Sequence, residues 1–400
     1  MVREQKLFFE LLSDHVHGVS SAKKVMKDVN FEMLYSISKK HCVTGIVYSQ
    51  IKENKDFCAT DVKIQEAFKH QFAGSIIRSL SLENDLKRLK DLFDKEKRPF
   101  ALLKGAVVQK YYPLPELRTM GDIDIVIHPE HRDIVHGLMR DAGYNSDYTI
   151  EPVWVYSKNG ITYEIHTQMM TSPYKRFDSC KTYFDNVWQY IDGENKEIEI
   201  NYHMVYLIYH IAKHIYGRGC GFRQFLDLAL IMEKEREHLN AEWLKKQLKK
   251  IELLEFAKTG FAFCERWFDV KAPFEGLKLD EDFFDTATNK MFVDGVFGKF
   301  NKENEISFIT KHAHTSNSPY LLASIKSIML EFFPCYSSMR VVEKYGFVDN
   351  RPWLLPFAWF YRLGLCLYER KLNRAVKTVK AITQIKAIKM RENYITEWGL

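Results

Sequence analysis

The stretch FALLKGAVVQKYYPLPELRTMGDIDIVIHPE, Phe100 to Glu130, decides how this chain is read. Its opening apolar run predicts a short strand that enters a Lys104-Gly105 turn, a brief helix over Val107 to Tyr111 and a proline-bearing loop to Arg118. DIDIVIH then reads as a second strand. Side chains two apart in a strand point the same way, so Asp122 and Asp124 share one face while Ile123, Ile125 and Ile127 pack on the other. Two carboxylates held close repel each other unless a cation lies between them. Hard oxygen ligands of this kind suit Mg2+, with Mn2+ as a substitute.

Working outward, PEHRDIVHGLMRDAGY predicts a helix begun by Pro129. YTIEPVWVYSK and ITYEIHTQM predict two strands joined by the turn Asn159-Gly160. The order gives a small mixed sheet covered by helices on one side. In YEIH, Glu164 and His166 again share a face. If their strand lies beside the aspartate strand, Glu164 completes a three-carboxylate cage able to hold two magnesium ions, one at an attacking hydroxyl and one at a triphosphate. The Lys104-Gly105 turn opens a helix, so its backbone N–H groups can face the same phosphates. Lys104 and Arg118 are the cationic candidates for phosphate contacts, Arg118 through a bidentate fork.

Both flanks have helical periodicity. Residues 1–97 read as a helical bundle ending in a long helix, with Asn30 and Asp61 as N-caps. Residues 98–176 hold the sheet, and 177–400 return to helix. The expected class is therefore α+β, a small mixed sheet flanked by two helical domains. HIAKH sets His210, Lys213 and His214 on one helix face, but no third zinc ligand follows at a recognisable spacing. Arg223 and Asp227, four apart, form either a helix salt bridge or a nucleotide contact. GRGCG follows a helix rather than a strand, which excludes a dinucleotide loop and leaves an inter-helix turn able to close over substrate.

Hydrophobic residues make up 46% of the chain and charged ones 28%, the balance of a globular protein with a large core. A net charge of +6 suits phosphate-bearing ligands but falls short of a dedicated nucleic-acid binder. The seven scattered cysteines include no C-x-x-C pair, which points to a reducing, cytoplasmic setting without a disulfide framework. The first residues lack the apolar core of an export signal. WLLPFAWFYRLGLCLY, Trp353 to Tyr368, is too short to span a membrane and contains Pro356 and Arg362; it is expected as a buried helix rather than a membrane-surface element. From Glu369 to Glu392 eight Lys or Arg stand against two Glu, expected as a solvated helix face.

The stretch from Pro99 to Met170 resembles the nucleotidyltransferase fold of the DNA polymerase beta superfamily. LLKGAVVQKYYPLPELRTMGDIDIVI with YEIH resembles a bacterial family of uncharacterised nucleotidyltransferases, and the likeness extends through HIAKHIYGRGCGFRQFLDLAL and PWLLPFAWFYR. The resemblance implies Mg2+-dependent transfer of a nucleoside monophosphate from an NTP, ATP first among them, to an acceptor hydroxyl on a small molecule, a protein or an RNA end. It implies Asp122, Asp124 and Glu164 as catalytic metal ligands, and Lys104, Gly105, Arg118, His210, Lys213, Arg223 and Asp227 around the nucleotide. The chain departs from the superfamily in carrying Gly105-Ala106 where Gly-Ser or Gly-Gly is usual, and in a longer gap to Asp122. The alternative is a non-catalytic nucleotide-binding or partner-recognition protein that retains the fold. A glycosyltransferase would need alternating strands and helices before its D-x-D, whereas a hundred helical residues precede this one.

Overall fold

The computed structural model describes residues 1–150, 152–170, 174–192, 196–217, 219–296, 333–340, 342–368 and 385–400. Its central sheet consists of β1 (Phe100–Leu102), β2 (Ile123–Ile127), β3 (Asn145–Ile150), β4 (Val153–Lys158) and β5 (Ile161–His166) in the order β1-β2-β5-β4-β3. The β2 and β5 strands run parallel, and the other neighbours are antiparallel. A two-stranded ribbon, β6 (Ile191–Asp192) and β7 (Glu197–Ile198), meets the edge where the Leu102 N–H donates to the Lys196 carbonyl. YTIEPVWVYSK, expected as one strand, is divided between β3 and β4. Pro152 cannot donate to a ladder and ends the pairing there. Asn159 and Gly160, with φ of +51° and +76°, make the tight β4–β5 turn that the sequence predicts.

Before the sheet come α1 (Arg3–His17), α2 (Phe31–Lys40), α3 (Thr44–Ile51), α4 (Lys55–Cys58) and α5 (Val62–Lys95). Asn30 caps α2 by accepting from the Met33 N–H at 2.9 Å, and Asp61 caps α5 by accepting from the Lys63 N–H at 2.7 Å. Two helices lie within the sheet region, α6 (Gly105–Val108) and α7 (Arg132–Asp141). After it come α8 (Asp178–Phe184), α9 (Ile200–Gly217), α10 (Phe222–Lys234), α11 (Ala241–Lys250), α12 (Leu254–Phe268), α13 (Glu281–Asp294), α14 (Tyr336–Met339), α15 (Leu355–Tyr368) and α16 (Ile385–Glu397).

Ile123, Ile125 and Ile127 pack with Leu82, Leu86, Leu89 and Phe93 of α5 and with Val135 and Met139 of α7. On the opposite face Ala101, Leu103 and Val126 join a larger core that includes Tyr202, Val205 and Tyr206 of α9. Helices therefore cover both faces, where one was expected. The reason is visible in the burial of every residue of β1 and β2, which leaves neither strand a solvent side. The larger core also runs between 1–97 and 177–400. Phe9 of α1 stacks on Trp267 of α12 with ring centroids 5.6 Å apart, and Phe8 meets Phe222 at 5.7 Å.

Among the described residues no helix is long and apolar enough to cross a membrane. The α15 segment is not the buried helix the sequence suggests: Trp353, Phe357 and Phe360 are about 70% exposed, while Ala358 packs with Met339 and Val348. That cluster is small and covers one helix face only. Of the basic run, residues 369–384 lie outside the described residues, as does Arg218 of GRGCG. Arg391, at the other end of the run, donates to the carbonyls of Tyr216 and Gly217 at 2.5 and 3.0 Å rather than facing solvent.

Candidate active site

The β2–β5 register sets Asp124 directly opposite Glu164, so two carboxylates from strands distant in sequence meet on one face. The Asp124 carboxylate is almost fully buried. Its Oδ1 accepts from Lys104 Nζ at 2.5 Å and lies 3.0 Å from His166 Nε2. The same His166 nitrogen is 3.6 Å from Glu164 Oε2. Burial pushes the Asp124 carboxyl pKa up, but Lys104 and then His166 outweigh it and hold the group well below the usual carboxylate range. Lys104 responds in kind: burial pulls its ammonium down, and Asp124 more than compensates. Ligand atoms of Asp124, Glu164 and His166 lie within 4.8 Å of one another, the one such group of three among the described residues.

Asp122 lies one residue before β2. Its side chain keeps an exposed surface, yet crowding by neighbouring atoms and then Asp124 push its carboxyl pKa up, with Lys104 opposing. Its loop is held by a residue that sequence reasoning missed. Arg78 of α5 donates to the carbonyls of Met120 at 3.0 Å, Gly121 at 3.1 Å and Gly160 at 3.3 Å, fixing the entry to β2 and the β4–β5 turn together. Nothing in the local pattern around Arg78 marks it, because its partners are all far along the chain.

Lys104 has φ +50° and ψ −122°, a conformation costly for a residue with a Cβ, on the order of 1–3 kcal/mol. The Asp124 contact and the Leu103 N–H, which donates to the Asp124 carbonyl at 3.0 Å, hold the turn in place. Gly105 is required for a different reason. A Cβ there would lie 2.0 Å from Arg118 Nη1. The Arg118 fork, expected on phosphate, is bidentate to Asp227 of α10, with Nη2–Oδ2 at 2.7 Å and Nε–Oδ1 at 3.3 Å. Tyr112 donates to the same carboxylate at 2.6 Å. Arg223, rather than pairing with Asp227, donates to the carbonyl and hydroxyl of Thr119 at 2.8 and 3.0 Å. Burial and the nearby Arg118 push the Arg223 pKa down. Buried Arg118, Asp227 and Tyr112, with half-buried Arg223 beside them, form a seam that ties the Lys104-Gly105 turn to the helical body.

From α9, His210 and His214 approach each other with Nε2 atoms 3.1 Å apart. Burial, then Lys104, keeps the His210 pKa well below its ordinary value. Lys213 of the same helix senses the site: burial and then Lys104 lower its pKa to about 8, against the pull of Asp124 and Glu164.

A mixed sheet carrying register-matched acids, with a strained Lys-Gly turn opening a helix beside them, is consistent with a nucleotidyltransferase core. Residues 27–269 match the family described as uncharacterised nucleotidyltransferase, and the chain belongs to that family. Comparison with curated proteins found no match, and comparison with solved structures found none either.

Proposed function

We propose that the chain transfers a nucleoside monophosphate from an NTP, with ATP as the first candidate, to an acceptor hydroxyl with release of pyrophosphate, using Mg2+ or Mn2+. The observation that carries this reading is the Asp124–Glu164 pair in register beside the Lys104-Gly105 turn. The donor set fits a hard divalent cation: carboxylate oxygens converge, and Asp124 gathers two nitrogen partners, as a site built around positive charge should. Asp122, Asp124 and Glu164 would hold the ions, which when bound polarise the α-phosphate and lower the pKa of the acceptor hydroxyl.

The chain's own residues then have separable tasks. Lys104 swings from Asp124 toward the triphosphate as the nucleotide enters, and the N–H groups at the start of α6 line the same side. Arg118 acts mainly through Gly105, keeping the turn seated while Asp227 and Tyr112 hold its guanidinium. Lys213 faces the phosphates from α9. Glu164 would orient the acceptor hydroxyl.

The test is incubation with Mg2+ and each α-labelled NTP, alone and with cell extract, beside Asp122→Asn. Loss of that carboxylate should cost more than about 100-fold in label transfer while the far-ultraviolet dichroism stays native. Undiminished labelling by the variant would sink the assignment. Nucleotide binding with no transfer to any acceptor would favour the non-catalytic alternative.

A further inference from the structure

We infer that His166 is a positioning residue outside the metal shell, which fixes the rotamer of Asp124 and leaves an all-oxygen donor set for the ion. This rests on the nucleotidyltransferase reading above. Distance alone puts His166 among the ligands, since its Nε2 lies with the two carboxylates. Its hydrogen bonding argues otherwise. Asp124 Oδ1 accepts from Lys104 Nζ and so has no proton of its own to give, which means that a ring nitrogen 3.0 Å away is the donor, and the tautomer is thereby assigned as Nε2–H. The other ring nitrogen, Nδ1, is buried with no hydrogen-bond partner, in a side chain only 2% exposed.

Ligation through Nε2 would move that proton to Nδ1, where nothing accepts it. Ligating histidines nearly always donate their second N–H to a carboxylate, a carbonyl or water, and a buried N–H without an acceptor is costly. The Nε2–H tautomer instead puts the proton where the acceptor is and leaves on Nδ1 only an idle lone pair. Lys104 and His166 both occupy Oδ1 of Asp124, so Oδ2 is the oxygen free to turn toward an ion. The consequence is selectivity: without an imidazole nitrogen the set favours Mg2+ and Mn2+ over Zn2+.

The experiment is electron spin echo envelope modulation of Mn2+ bound to the full chain without nucleotide, combined with Mn2+ titration of His166→Ala and His166→Gln. A wild-type spectrum without a directly coordinated nitrogen is expected. Alanine should weaken Mn2+ about 10- to 100-fold, as loss of an outer hydrogen-bonding partner does, and glutamine, whose Nε2–H can reach Asp124, should recover most of it. A coordinated-nitrogen signal in the wild type overturns the inference, and so does glutamine as poor as alanine. Should alanine fail to fold, the wild-type spectrum decides alone. Failure of the underlying reading looks different: Mn2+ would then bind equally well to the wild type and to Asp122→Asn.

Discussion

Replacing Lys104 with methionine isolates the charge at the centre of the site, because the alkyl stem and its packing remain. The Lys104 and Asp124 side chains are 16% and 6% exposed, so the pair is a buried one. Removing one member of such a pair leaves an uncompensated carboxylate and costs about 3–5 kcal/mol. His166 still donates to Asp124, so the lower end, about 3 kcal/mol, is expected. The backbone at position 104 is equally strained with either side chain and cancels. The sign with pH follows from the depressed Asp124 pKa: its stabilisation is present above the unfolded-state value near 4 and is lost as pH falls through the folded value. The gap between variant and wild type should therefore close in strong acid. A divalent cation offers the stranded carboxylate a new partner, worth about 2.7 kcal/mol at a concentration 100 times its Kd. Urea unfolding at neutral pH, with and without millimolar Mn2+, reads both effects. Mn2+ should stabilise the variant more than the wild type even as NTP binding weakens. Equal stability of the two proteins, or a larger Mn2+ effect on the wild type, would refute the reasoning.

Other perturbations test the surrounding parts. Gly105→Ala must drive Arg118 off its seat, since the added Cβ meets Nη1 at 2.0 Å, so it should both destabilise the fold and weaken NTP binding in titration calorimetry. Arg118→Ala strands the buried Asp227 and should cost about 3–5 kcal/mol by thermal or urea unfolding, whereas Arg118→Ala with Asp227→Leu should recover part of that loss. Lys213 has a folded pKa of about 8 against 10.5, so the unfolded chain binds more protons between those values and stability should rise with pH across that window. A bound triphosphate would retain the proton, so NTP affinity should fall above about pH 8, a dependence that Lys213→Met should flatten.

What the sequence made legible was local. The alternation in DIDIVI, the caps at Asn30 and Asp61 and the Asn159-Gly160 turn each depend on neighbours a few residues away, and each has the conformation its residues dictate. The site itself joins distant segments. That Asp124 meets Glu164 depends on β5 passing β3 and β4 to pair with β2, and that Arg118 meets Asp227 depends on α10 folding back across 109 residues. Such pairings leave no periodic signal, and a phosphate fork and a structural fork on arginine look alike in sequence. His166 was in plain view two residues after Glu164, but only its hydrogen-bond geometry distinguishes a ligand from a donor. The exposed face of α15 is not legible in the sequence, because hydropathy reports apolar content and not what is available to cover it.

The long helix α5 has a mechanical consequence. Its 34 residues span about 50 Å. Phe68, near one end, is anchored in the helical body, while Leu82 to Phe93 form the backing of the sheet and Arg78 between them grips the loop before Asp122. A beam fixed at both ends leaves the sheet little freedom to swing as a separate jaw. Excision of residues 98–176 would also strip the isoleucine face of β2 of its α5 cover, leaving Val135 and Met139 of α7 against it. On the other side, the Arg118–Asp227 contact holds α10 to the loop between β1 and β2, so the sheet is tied to helices from both halves of the chain.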